Sequence, residues 1–304
     1  MRAKDFLSID QLTRDELARL VGRALEFKHN PFLAPELLLN RTIALVFQKP
    51  SLRTRVSFEI AAMHLGGRSI YLSPAEVGLS EREGAADVAR VLSGYVDGIV
   101  ARTYLHRDIE GLAAAAAVPV INGLSERGHP CQVLADLLTM RQRFGQIEGL
   151  TVAYVGDGNN VARSLVEATP LAGIRLRVAT PPGYEPDASA VAAAREADGD
   201  VDVGHDAVTA VRDADVIYTD AWFSMGQEAE RDARIVVFPP YRVSEELLAC
   251  APAHVLVMHC LPAHRGEEIT DEVIEGPHSV VFEQAANRLP AQKAILEALF
   301  AGEG

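Results

Sequence analysis

The sequence predicts an α/β protein built as two doubly wound, parallel-sheet, Rossmann-like domains with a cleft between them. Short apolar, β-rich runs alternate with helix-period segments along nearly the whole chain, the signature of parallel sheets covered by helices on both faces. The alternation pauses at Gly145 and Gly149 and starts again at Thr151. The length, 304 residues, is about where one hydrophobic core stops growing and two become the better expectation.

Thr42 to Phe47 reads as the first strand, and Arg53 to Leu65 as a helix that sets Val56, Ile60 and Met63 on one side and stops at Gly66-Gly67. Ser69 to Leu72, Gly98 to Arg102 and Val118 to Asn122 follow as strands, separated by helices near Ala85 to Val96 and Asp108 to Ala117. Pro130, suited to a first helical position, opens a long helix to about Phe144. The second series places strands at 151 to 156, 175 to 180, 215 to 220, 254 to 260 and 279 to 282. Helices at Asp187 to Ala197 and Ser244 to Cys250 lie between them, and a last amphipathic helix, about Pro290 to Phe300, suits docking on either domain. The expected domains are 1 to 145 and 146 to 289, with residues from about 290 to 304 packing back on the first.

Composition narrows the partners. A net charge of -13 without a Lys/Arg stripe argues against nucleic acid, so an anionic substrate needs a local positive pocket. The first residues lack the apolar core of a signal peptide, and no stretch approaches the roughly 18 apolar residues of a membrane span, which predicts a cytoplasmic protein with no membrane partner. Cys131, Cys250 and Cys260 form neither a disulfide framework nor a CxxC motif. His259, Cys260 and His264 match no standard zinc spacing, so no metal is expected.

In open α/β sheets ligands bind beyond the carboxyl ends of the strands. The first strand runs into Gln48-Lys49-Pro50-Ser51-Leu52-Arg53-Thr54-Arg55, which puts Ser51, first-turn backbone N–H groups and two guanidinium groups at a helix N-terminus, a setting for phosphate. A lone SxRTR fits a capped helix with solvated arginines equally well. Other strand ends shift the balance. GIVAR ends in Arg102, and VPVIN leads to His129-Pro130-Cys131-Gln132, where His129 and Gln132 share a helix face. Imidazole, amide and guanidinium suit a carbonyl oxygen with its NH2 group. DVIYTD ends in Asp220, and VLVMHC in His259-Cys260-Leu261-Pro262; an acid and a thiol there suit a cationic amine that must lose a proton before it attacks.

The turn Gly156-Asp157-Gly158-Asn159-Asn160-Val161 looks at first like a dinucleotide fingerprint. Val161 replaces its third glycine, however, and the next strand ends at Thr180 where a ribose-binding acid belongs, which disfavours a nicotinamide-dependent dehydrogenase.

Taken in order from about Phe47 to Leu296, these motifs resemble the ornithine carbamoyltransferase family: Ser51 to Arg55, His129 to Gln132, Gly156 to Asn160, Asp220 with Ser224-Met225-Gly226, His259 to Pro262, and Phe282 to Leu289. The resemblance implies a carbamoyl-phosphate domain first and an ornithine domain second, a homotrimer with sites near subunit interfaces, and no metal or organic cofactor. By position, Ser51, Leu52, Arg53, Thr54 and Arg102 look like the phosphate grip. Thr54, Arg102, His129 and Gln132 look like the carbamoyl clamp, with the Cys260 and Leu261 carbonyls and Arg288 at its amino end. Asn160, Asp220, Ser224 and Met225 resemble the L-ornithine contacts, with Asp220 and Cys260 nearest the reacting δ-amine.

Two positions depart from the family pattern. Leu52 stands where many members have Thr, with little consequence because the contact is through backbone N–H. Glu76 stands where the family usually has a Gln that reaches a neighbouring subunit's site; a carboxylate there repels phosphate unless it is protonated or paired with an arginine. Rival acceptors are putrescine, aspartate and an acylated ornithine. Aspartate calls for a cationic pocket in place of Asp220 and Cys260. A catalytically silent homologue is opposed by the intact Arg53, Arg102, His129, Asp220 and Cys260.

Overall fold

The computed structural model describes residues 3–80, 82–223 and 230–301. Four strands form the first sheet: β1 (Thr42–Phe47), β2 (Arg68–Leu72), β3 (Gly98–Arg102) and β4 (Val120–Leu124). All pair in parallel in the order β2-β1-β3-β4. β1 and β3 are buried almost throughout because helices cover both faces, which is why they read as unbroken apolar runs.

α1 (Arg14–His29) begins at a capping box: the Thr13 hydroxyl accepts from the Glu16 N–H at 3.2 Å, and the Glu16 carboxylate accepts from the Thr13 N–H at 3.0 Å. Its Leu17, Leu20, Val21, Ala24 and Phe27 are buried at helical spacing and pack along the last helix, α14 (Arg288–Phe300). α2 (Leu52–His64) follows β1. It buries Thr54, Phe58, Ala61 and Ala62, whereas Val56 and Met63 face out, so the stripe expected to define the helix lies opposite its packed face. Phe58, 1% exposed, anchors this packing; its truncation to alanine costs about 3–5 kcal/mol. The helices α3 (Pro74–Val77), α4 (Ala85–Leu92), α5 (His106–Ala115) and α6 (Pro130–Phe144) complete the first series.

The second sheet contains β5 (Thr151–Val155), β6 (Arg175–Ala179), β7 (Asp200–Gly204), β8 (Val216–Thr219) and β9 (Leu256–His259). It is parallel in the order β7-β6-β5-β8-β9. Its helices are α7 (Asn160–Ala172), α8 (Ala188–Glu196), α9 (Ala207–Val211), α10 (Arg231–Val237), α11 (Glu245–Leu248), α12 (Asp271–Ile274) and α13 (Val281–Ala286). Each sheet therefore has a switch in strand order, between β1 and β3 and between β5 and β8, where this architecture opens a crevice.

Three sequence expectations change. Residues 279 to 282 do not form a strand: Ser279 makes one bridge to Val257, and Val281 starts α13. DVDVG, for which the sequence predicts no strand, is the edge strand β7. The last helix is buried nearly all round, at Arg288, from Pro290 through Leu296 and again at Leu299 and Phe300, and is not the two-faced element expected. The chain divides into two compact units, Met1–Leu138 with Asn287–Gly304, and Thr139–Ala286. Each unit holds its own apolar core, around Val46, Ile99 and Ile109 in the first and around Val155, Ile217 and Val257 in the second.

Candidate active site

In the first unit, β1 and β3 end side by side, with Phe47 in register with Arg102. Ser51 caps α2, its hydroxyl accepting from the Thr54 N–H at 3.3 Å, so the first turn points its N–H groups beyond the strand ends. Arg102 is buried there and Arg53 half-buried. Arg55 leaves the group. Its guanidinium pairs with Glu59 at 2.9 Å and lies 3.8 Å from the Tyr71 ring centre, so of the two arginines expected at this helix end only Arg53 stays with it.

Arg288, in the first turn of α14 and 3% exposed, organises the neighbouring groups. Its Nη1 donates to Gln132 Oε1 at 2.8 Å and its Nη2 to Thr54 Oγ1 at 3.2 Å. Gln132 Nε2 donates to Asp136 at 2.8 Å, which fixes the amide orientation. Thr54 thus keeps its hydroxyl proton for another acceptor, and Gln132 Oε1 retains a lone pair. Arg288 Nη1 also comes within 3.5 Å of His129 Nε2; a guanidinium only donates, so this contact favours the ring proton on Nδ1. Burial above all, then the positive charges of Arg288, Arg102 and Arg53, hold the His129 pKa well below its ordinary value. A neutral ring, a hydroxyl and fixed cations suit an uncharged carbonyl bearing an anionic leaving group. Cys131 is excluded from chemistry: burial pushes its thiol up to about 12, and Sγ donates to the Asn122 carbonyl.

Glu76 lies on exposed α3 and closes a capping box, accepting from the Ser73 N–H at 2.7 Å. That hydrogen bonding lowers its pKa and favours the charged carboxylate, which leaves pairing with an arginine as its route to a direct phosphate contact.

In the second unit the chemistry collects at the β5/β8 switch. Asp220 follows β8; its Oδ1 accepts from Cys260 Sγ at 3.0 Å and from the Ala221 N–H at 2.8 Å, and its Oδ2 from Asn159 Nδ2 at 2.7 Å. Asn159 is the N-cap of α7: Oδ1 accepts from the N–H groups of Val161 and Ala162 and from the Tyr154 hydroxyl at 3.2 Å. With every Oδ1 contact a donor, the amide cannot be flipped, and its NH2 group has to face Asp220. The sequence reading named Asn160, which opens α7, and passed over Asn159; the cap position before a predicted helix was the available signal. Ser224 and Met225 lie outside the described residues.

Leu261 has φ +59, a left-handed conformation costly for a branched residue. Its N–H donates to His259 Nδ1 at 2.8 Å, and His259 Nε2 donates to Glu268 at 3.0 Å, both side chains fully buried. The pair holds the turn at Cys260 and Leu261.

The dinucleotide reading fails for a local reason. A Cβ on Gly158 would lie 2.3 Å from the Pro186 nitrogen and 2.5 Å from the Tyr184 carbonyl oxygen. The close backbone approach that a glycine there offers a pyrophosphate is taken by residues 184–186 of the chain itself.

Residues 4–142 match the family model described as aspartate/ornithine carbamoyltransferase, carbamoyl-P binding domain, and residues 148–299 match that of the Asp/Orn binding domain. The ornithine carbamoyltransferase of Pyrococcus horikoshii is 50% identical over 308 residues, spanning 99% of this chain and 97% of that one. The solved ornithine carbamoyltransferase from Pyrococcus furiosus superposes with a TM-score of 0.94 at 51% identity, over 98% of this chain and 97% of that one. A mutant N-acetyl-L-ornithine transcarbamylase superposes with a TM-score of 0.87 at 33% identity, over 98% and 100% of the two chains. With both of its halves matched and relatives of this identity along its full length, the chain belongs to the aspartate/ornithine carbamoyltransferase family.

Proposed function

We propose that the protein is an ornithine carbamoyltransferase that converts carbamoyl phosphate and L-ornithine to L-citrulline and phosphate in arginine biosynthesis. The observation that carries this is the collection of Thr54, His129 and Gln132 around buried Arg288, beside Arg53 and Arg102. In this reading the first unit holds carbamoyl phosphate. Ser51, the Leu52 N–H, Arg53 and Arg102 take the phosphate, Thr54, Arg102 and His129 donate to the carbonyl oxygen, and Gln132 Oε1 with the Cys260 and Leu261 carbonyls accepts from the NH2 group. The second unit holds ornithine through Asn160, Asp220, Ser224 and Met225, with Asp220 and Cys260 beside the δ-amine.

The δ-ammonium gives up a proton and its nitrogen attacks the carbonyl carbon. The C–N bond forms, and negative charge gathers on the carbonyl oxygen under the Thr54, Arg102 and His129 donors. The bond from carbon to the phosphate oxygen then breaks with its electron pair on phosphate, and the nitrogen sheds a second proton. Loss of one such donor costs on the order of a hundredfold in rate. No cofactor enters this reading. Glu76, capped by Ser73, is left out of the phosphate grip.

We also infer a homotrimer in the cytoplasm. The exposed Leu52, Val56, Met63 and Ile70 of the first unit supply apolar surface for subunit contacts, and the free thiol of exposed Cys250 suits a reducing compartment. Among the described residues no helix is long and apolar enough to cross a membrane.

The test is a colorimetric assay for ureido products with carbamoyl phosphate against L-ornithine, N-acetyl-L-ornithine, putrescine and L-aspartate. Ornithine is expected to dominate, and Arg53→Ala to abolish turnover with the fold intact. A larger kcat/KM for any other amine, or citrulline formation by Arg53→Ala at the wild-type rate, overturns the reading.

A further inference from the structure

Three shielded donor atoms converge in the loop that joins β9 to α12. His264 Nδ1, Glu267 Oε2 and Glu268 Oε2 are buried, and none has a hydrogen-bond partner among the described residues. One ligand-type atom from each of the three residues lies within 4.8 Å of the others. His264 Nδ1 is 3.7 Å from Glu268 Oε2 and 4.0 Å from Glu267 Oε2.

The second oxygen of each carboxylate is already engaged. Glu268 Oε1 accepts from His259 Nε2 at 3.0 Å and from the His264 N–H at 2.6 Å; Glu267 Oε1 accepts from Arg231 Nη2 at 2.6 Å. Glu268 is fully buried, so its remaining lone pairs have no water to face. The His264 ring stacks on Phe223 with centroids 5.0 Å apart and planes 11° apart, which holds its Nδ1 edge toward the carboxylates.

We propose that His264, Glu267 and Glu268 form a site for a borderline divalent metal ion of the zinc class, with water completing its coordination. An ion equidistant from three atoms so spaced sits about 2.5 Å or less from each, a few tenths of an ångström beyond the about 2.0–2.2 Å of zinc bonds to imidazole and carboxylate. One imidazole with two carboxylates suits zinc, cobalt or nickel better than a soft or an all-oxygen cation. The half-exposed His264 side chain leaves an entry path. The ion also reaches the site of transfer by one shared residue: Glu268 holds His259, which holds the Leu261 N–H.

A second group, Asp220, His259 and Cys260, is similarly close-set, and its thiol and carboxylate are hydrogen-bonded to one another. Cobalt separates the two sites. Titrating the metal-free protein with Co2+, and with Zn2+ by calorimetry, is expected to give one equivalent per chain and visible ligand-field bands without a thiolate-to-cobalt charge-transfer band. His264→Gln and Glu267→Gln are each expected to weaken binding at least about tenfold, and Cys260→Ser to leave the spectrum unchanged. A charge-transfer band that Cys260→Ser removes assigns the ion to the other group and overturns the proposal. So does an affinity that neither loop variant changes, or the absence of saturable binding. The two loop substitutions are independent, so failure of either to fold leaves the other to decide.

Discussion

Asn159 carries two loads that substitutions can separate. Its Oδ1 caps α7 through the Val161 and Ala162 N–H groups, and its Nδ2 holds Asp220 Oδ2 at 2.7 Å. Asn159→Ala loses both. A lost cap costs about 1 kcal/mol, and a hydrogen bond to a charged group about 1.5–3 kcal/mol; Asn159 is only half-buried, which puts the sum nearer 2 kcal/mol. At about 2–4 °C per kcal/mol for a unit of this size, Tm falls by about 4–8 °C. Asn159→Asp keeps the cap, since aspartate serves as well there and complements the helix N-terminus. It also sets a second carboxylate against Asp220, so that one of the two holds a proton to a higher pH than an isolated aspartate. Stability near neutrality should still fall, by the lost bond to Asp220 but not by the cap, KM for ornithine should rise at least about tenfold, and the acid limb of kcat/KM should move up. Thermal melts and pH–rate profiles of the two variants check this. If Asn159→Asp turns over ornithine with the wild-type KM and pH profile, Asn159 does not position Asp220.

Three further outcomes are expected. Arg288→Met strands Gln132 Oε1 and Thr54 Oγ1 without their donor, costing about 1–3 kcal/mol in a urea melt; it should weaken carbamoyl phosphate binding by calorimetry, and unchanged affinity would refute its role as organiser. The His129 pKa is lowered on folding, so below about pH 6.5 the unfolded chain takes a proton that the folded ring refuses, and stability is lost as pH falls at up to about 1.4 kcal/mol per unit. His129→Gln should flatten that part of the stability–pH curve relative to wild type, and parallel curves would count against a neutral ring. Gly158→Ala forces a methyl into the Tyr184–Pro186 backbone and should lower Tm by several degrees at about 1–3 kcal/mol of overpacking; a wild-type melt would mean that segment yields freely.

The strands of both sheet centres were legible because a strand covered on both faces must be apolar throughout, and TIALVF, GIVAR and TVAYV are nearly so. The edges were not. β7 alternates Asp200, Val201, Asp202 and Val203 with only one face packed, and so short an alternation bounded by Gly199 and Gly204 reads equally as a turn. Ser279 to Phe282 carries the β-branched residues of a strand, yet Val280 and Val281 are buried where the chain turns into α13, and burial alone explains their type. On α2, propensity and periodicity mark a helix without saying which side is covered, because apolar residues lie on both.

Read from the residues alone, the candidate site was legible where a residue stands at a strand end, whereas a residue whose role comes from partners remote in sequence, such as Arg288, was named only through the family resemblance. Arg102 and Asp220 follow directly from the strands that end in them. Arg288 does not: its neighbours Thr54 and Gln132 lie 234 and 156 positions away, and only the return of α14 to the first unit brings the guanidinium to them. That return explains why the family match to the second domain runs to residue 299 while the second compact unit stops at Ala286. Sequence order assigns α14 to the segment it follows, and packing assigns it to the unit it fills, where α1 runs along it and Lys293 reaches the Pro31 carbonyl at 2.7 Å. A helix buried on nearly every side has no polar stripe from which a partner can be read, so its place is set by the cavity it completes, and the cation at its first turn becomes part of a site begun more than two hundred residues earlier.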